Sequence, residues 1–261
     1  MNVLGLILTL LVGLFILLGY IFAGKFKDNK RFTDFSISLA FGVILALIVL
    51  ELIPEVYEIF SGELSLFRTI LCIIVLTLIG IYLLKILDSF IPHHEHEAHH
   101  NHKHKDDNCH NDHLNHIGLI SASAVIIHNL IEGMGLYLVS STNITSGLFM
   151  CLAVGLHNIP MGLVIASTLY TSNHSKEDTI KICLAVSLST FVGGLIMFFI
   201  GGVPHIVEGI LLGITMGMLI YIEIFELFHQ IYHMKNKKIC NLGITFGVML
   251  LIVAMVIKMV V

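Results

Sequence analysis

The sequence predicts an all-α polytopic membrane protein: eight transmembrane helices in a 3+2+3 inverted-repeat arrangement. Three observations lead there. The chain of 261 residues is 56% hydrophobic and only 12% charged, with a mean hydropathy of +0.93. That composition belongs to a polytopic membrane protein rather than a soluble domain. The apolar residues gather into eight runs, each near or above the ~20 residues that cross a hydrocarbon core as a helix. Two polar segments near the ends of the second and seventh runs resemble each other, although those runs point in opposite directions. Barrel strands would be shorter and alternating, so helices are the reading that satisfies every backbone group in lipid.

The runs are Asn2–Ala23, Asp34–Ile53, Leu66–Ile91, Ile117–Ser140, Ser146–Tyr170, Thr179–Gly202, Ile206–Phe228 and Ile239–Val261. The first lacks a basic leader and is long for a signal peptide, so it is expected to be a retained span. Basic residues alternate between the connections. Lys25, Lys27, Lys30 and Arg31 follow the first run. Lys85, Lys103 and Lys105 belong to the third connection, Lys176 and Lys181 to the fifth, and Lys235, Lys237 and Lys238 to the seventh. The fourth and sixth carry no charge, and the second has only Arg68 beside Glu55, Glu58 and Glu63. The positive-inside tendency then puts the odd connections in the cytoplasm and both termini outside the cell membrane. Asn143-Ile144-Thr145 matches a weak outer glycosylation pattern.

Residues 1–92 thus carry helices one to three, 93–116 a cytoplasmic His-rich loop, and 117–261 helices four to eight, all in one membrane domain. The loop contains His93, His94, His96, His99, His100, His102, His104, His110, His113 and His116, with Cys109 and several carboxylates. Its few aliphatic residues predict disorder without metal, and its imidazoles suit metal binding or sensing. It has no fixed zinc-finger spacing, and a solvated linker is the plainer alternative. The five cysteines, Cys72, Cys109, Cys151, Cys183 and Cys240, are scattered and odd in number, which argues against a disulfide framework.

The chemistry sits in the fourth and fifth runs. One reads His128-Asn129-Leu130-Ile131-Glu132-Gly133, the other His157-Asn158-Ile159-Pro160-Met161-Gly162. Polar groups at membrane depth usually face a bundle interior or a water path. His128 and Glu132 stand four apart, so they share a helix face. Two helices offering imidazole nitrogen and carboxylate oxygen to each other suit a divalent transition metal. The bland alternative is a pair of histidines tying helices together by hydrogen bonds. Asn129 and Asn158 read equally as neutral oxygen ligands or as interhelical hydrogen bonders. Pro160 frees the Leu156 carbonyl and kinks its helix. Met161 is a weak soft ligand or simple packing. Glu51, in Glu51-Leu52-Ile53-Pro54-Glu55, and Glu226, in Glu226-Leu227-Phe228-His229, match under the repeat. They line an ion path or snorkel to the interface.

Together, the span-four His-Asn-x-x-Glu-Gly, the span-five His-Asn-x-Pro-x-Gly, the Leu-Ile-Pro-Glu of span two and the His-rich loop resemble the ZIP (Zrt/Irt-like) metal transporters, bacterial type, over essentially the whole chain. The resemblance implies that His128, Asn129, Glu132, His157 and Asn158 bind the transported ion. It implies no enzyme activity and no resident cofactor. Zinc, or Fe2+, Mn2+ or Cd2+, would enter the cytosol, by way of a homodimer in the lipid bilayer with no nucleic-acid partner. It also implies that the metal-bearing helices move against a scaffold that includes spans two and seven. Two departures stand out. Bacterial members usually have Glu where Met161 stands, and often another in span six, which here reads Ser187-Leu188-Ser189-Thr190. Glu132 is then the only central acid, and one ion is expected there rather than an adjacent pair.

Two other classes were weighed. A cation-diffusion-facilitator-like metal exporter also pairs such motifs with a His-rich loop, but that class typically has six spans and a soluble tail. A zinc-dependent membrane hydrolase needs a general base beside a metal-bound water, and no second acid is available for it. The topology generates a direct expectation. Single cysteines near Asn143 should react with an impermeant thiol reagent from outside, and those near Asn111 only after permeabilisation. Outside labelling at both would refute the eight-span orientation.

Overall fold

The computed structural model describes residues 2–26, 29–90, 105–172, 174–202 and 204–259. Among them every regular element is helical. Eight helices are long and apolar enough to cross a membrane: α1 (Val3–Lys25), α2 (Lys30–Ser61), α3 (Leu66–Phe90), α4 (Lys105–Thr142), α5 (Ile144–Thr171), α6 (Lys176–Ile200), α7 (His205–His233) and α8 (Lys237–Met259). The eight apolar runs each become one helix, and the main differences lie at the ends.

Polar side chains set several of those ends. Asn2 accepts from the backbone N–H groups of Leu4 and Gly5, and Asn29 from that of Arg31. Asn143 alone separates α4 from α5, and its carboxamide oxygen accepts from Thr145 and Ser146 N–H. Ser175 starts α6 earlier than the apolar run suggests, because its hydroxyl caps Asp178 N–H and donates to the Asp178 carboxylate. At the far end Gly201 adopts φ +82°, a left-handed stop that glycine takes without strain.

α2 and α7 extend past the expected ends at Ile53 and Phe228, and each contains a π segment, Ile48–Leu52 and Ile222–Leu227. The wider turn lets Ile53 N–H reach Ile48 O, and Phe228 N–H reach Glu223 O. In α2 this lets the helix continue through Pro54, which has no N–H to offer. α4 begins at Lys105, so Cys109, His110, His113 and His116 lie on a helical backbone extension instead of in an unstructured link. His93, His94, His96, His99, His100, His102 and His104 lie outside the described residues.

Packing groups the helices. α1 packs mainly on α5 and α6, and α4 on α6 and α5. α2 pairs with α8, and α3 with α7. The α4–α6 crossing is the tightest near the polar motifs. A Cβ on Gly133 would collide with the Thr190 carbonyl, and one on Gly193 with the Leu130 carbonyl. Small residues let helix backbones approach where lipid offers no hydrophobic drive to association. Gly193→Ala should therefore destabilise the fold by about 1–3 kcal/mol through overpacking, read as a lower thermal midpoint in detergent. Gly24→Ala, whose nearest new neighbour would be Tyr170 Oη at 3.4 Å, serves as the tolerated control.

Candidate metal centre

The two His-Asn motifs meet where α4 faces α5. His157 Nε2 lies 2.9 Å from Glu132 Oε1, and His128 Nε2 lies 3.7 Å from the same oxygen. One ligand atom from each of the three residues falls within 4.8 Å of the others. Four donors at about 2.0–2.1 Å from a tetrahedral zinc would stand roughly 3.3–3.5 Å apart, so small side-chain shifts accommodate an ion. Both imidazoles are buried, and the Glu132 side chain is only 10% exposed. With a proton on Nε2, the His157 contact is a charge-assisted hydrogen bond. Without that proton, a lone pair and a carboxylate oxygen point into one space.

The i, i+4 spacing of His128 and Glu132 on α4 makes this geometry, and the single-residue link at Asn143 folds α5 back so that His157 faces them. Asn129 is turned the other way. Its Nδ2 donates to the Val186 carbonyl of α6 at 3.3 Å, which makes it a tie between helices, while its Oδ1 stays enclosed. Asn158 is fully buried, and neither of its amide atoms has a hydrogen-bond partner among the described residues. Burying a free amide is costly, so it is the stronger of the two amides as a ligand. Pro160 is buried inside α5, and Met161 is buried in the main apolar core.

A small cavity of about 50 Å³ opens onto His128 and Glu132, with His157 behind them against Glu132. Its walls include Glu51 and Glu55 from α2, Gly135 from α4, and Glu208 and Leu212 from α7. Gly135, having no side chain, leaves the space between Glu132 and Glu208 open. Glu55 and Glu208 also line a wider hollow of about 460 Å³ with Glu58, Glu63 and His205, at the end of the bundle that carries the α2–α3 and α6–α7 connections. Acidic groups therefore step from that surface down to Glu132. The place of Glu208 on this path needed the fold.

The profile of the "ZIP Zinc transporter" family matches residues 1–255. This chain belongs to the ZIP zinc transporter family. It is 25% identical to Zinc transporter ZupT of Chlorobaculum parvum over 254 residues, which cover 95% of each chain. It is 24% identical to Zinc transporter ZupT of Streptococcus mutans over 252 residues, again 95% of each. Members of this family are multi-pass membrane transporters and not enzymes, and neither the hydrolase nor the exporter reading is favoured.

The contrast between the two amides is testable. Asn158→Leu should leave apo-protein stability unchanged or raised, because it removes an unpartnered polar group, and should weaken zinc binding at least tenfold. Asn129→Leu should lower the thermal midpoint by breaking the tie to Val186. Calorimetry of both variants with and without zinc checks the pair.

Proposed function

We propose that the protein carries a divalent metal ion, zinc first among them, across the cell membrane into the cytosol through a site made by His128, Glu132 and His157. The convergence of two imidazoles and one carboxylate, with His128 and Glu132 in the wall of an acid-lined cavity, carries this reading. The relatives' name, Zinc transporter ZupT, favours zinc among the ions that such a donor set accepts. Two nitrogens and one anionic oxygen suit a borderline ion. Three protein donors leave the rest of its coordination to water or to the Asn158 amide. A carrier site needs such incompleteness, because an ion held by a closed structural set does not leave.

The acids divide the labour. Glu58 and Glu63 stand at the mouth and raise local cation concentration. Glu55, Glu208 and Glu51 replace hydration water in stages, and Glu132 supplies the full negative charge a divalent ion needs in low dielectric. With the α2–α3 connection read as extracytoplasmic, the path runs inward from outside. Met161 and the acid-free middle of α6, Ser187–Thr190, add no second carboxylate, so one central ion is held and not a pair. Motion of the α4–α5 pair against α2 and α7, in a homodimer at the plasma membrane, completes the reading.

Glu132→Gln should lower zinc flux into proteoliposomes by a hundredfold or more, whereas Met161→Ala should change it less than threefold. Metal counting on protein freed of residues 93–116 should give one central ion per chain. Wild-type flux in Glu132→Gln, or two central ions, would refute the site as described.

A further inference from the structure

Inward of the centre, α7 carries a carboxylate with no role so far. Glu223 is 5% exposed, and both its oxygens are enclosed without a hydrogen-bond partner among the described residues. It sits in the π segment Ile222–Leu227, a wide turn of the kind found at functional sites. Glu226 and Gln230 follow at spacings of three and four, are 6% and 8% exposed, and so continue one buried polar stripe. Met234 extends it, and there the Ser38 hydroxyl of α2 lies 3.5 Å from the Met234 sulfur. The stripe thus runs along the inner half of α2, where Thr33, Ser36 and Ser38 are also buried.

Its position on the path follows from helix geometry. Leu212 lines the cavity together with His128 and Glu132. At about 1.5 Å rise per residue, Glu223 lies roughly 16 Å further along α7, beyond the centre and away from the acidic hollow. An enclosed carboxylate with no partner is expensive in a membrane protein, and such a residue is by default a functional one. Its neighbours on the stripe offer oxygen donors, which accept divalent cations without demanding zinc.

Resting on the transport reading above, we propose that Glu223 is a second cation station, which receives a divalent ion from the central site and passes it along Glu226 and Gln230 toward the inner end of α7. The central site selects through its imidazoles, and this one releases through oxygens alone. Because it lies in series with the centre, its loss slows transit without emptying the centre.

The test measures zinc flux into proteoliposomes and, separately, equilibrium zinc binding, both on the full chain. Glu223→Gln should lower maximal flux at least tenfold while central zinc affinity stays within threefold, and Glu223→Asp should restore part of the flux. Flux within twofold of wild type in Glu223→Gln overturns the station. So does intact flux that has lost its response to a pH gradient, which would make Glu223 a proton site. Loss of central affinity together with flux, unrelieved by Glu223→Asp, overturns it as a structural effect. A wild-type protein that binds but never moves zinc refutes the transport reading and this inference with it, whereas an insensitive Glu223→Gln refutes this inference alone.

Discussion

The contact between Glu132 and His157 sets the conditions for the rest of the bundle. A carboxylate oxygen 2.9 Å from an imidazole nitrogen, inside a chain this apolar, needs a dry and rigid surround and one polar approach. The α4–α6 crossing supplies the rigidity. Gly133 and Gly193 bring the two backbones together, and Asn129 reaches across to Val186 at the same level. α4 is thereby held through the residues flanking His128 and Glu132, so both ligands project from a fixed backbone. α5 brings His157 against them from the other side. The polar approach comes from α2 and α7, neither of which carries an imidazole at the site.

That division explains why the two halves of the bundle differ in chemistry. The helices that hold the site rely on glycine contacts and buried amides, which fix geometry. The helices that line the path carry carboxylates at intervals, and both are loosened by π segments at Ile48–Leu52 and Ile222–Leu227. Glu51 belongs to one of these segments and Glu223 and Glu226 to the other. In each, a wide turn and an acid occur together, one toward the acidic hollow and one away from it. In the transport reading proposed above, the two segments would form two legs of one path, each with its own acids.

The sequence carried a large part of this. Eight spans follow from run length and hydropathy, since lipid permits few other ways to satisfy the backbone. His128, Glu132 and His157 were legible because a repeated polar motif in an apolar run is expensive and has few uses. The functions of the two asparagines were not. Both stand next to a histidine in the same motif, yet Asn129 ties to α6 while Asn158 is buried without a partner among the described residues. Helix ends read from apolar runs came late where a polar cap starts the helix, at Asn29 and Ser175, and early at Pro54, because a proline usually ends a helix and a π turn here absorbs it. Glu223 stands outside every motif that the sequence repeats. Its burial depends on α2 lying against α7, a contact between segments far apart in the chain that no local pattern encodes.

The departure at Met161 then takes on a structural meaning. A glutamate there would stand four residues after His157 and would place a second anion beside Glu132. Two carboxylates in one low-dielectric site repel unless a second cation or a proton joins them. Methionine instead fills the apolar core and leaves Glu132 as the single central charge. One ion held by one carboxylate is bound less tightly than one shared between two, and it leaves more readily for an oxygen-lined stripe. In the transport reading proposed above, α5 would add no charge to deepen the central well, and Glu223 on α7 would lower the barrier to departure along the inner leg.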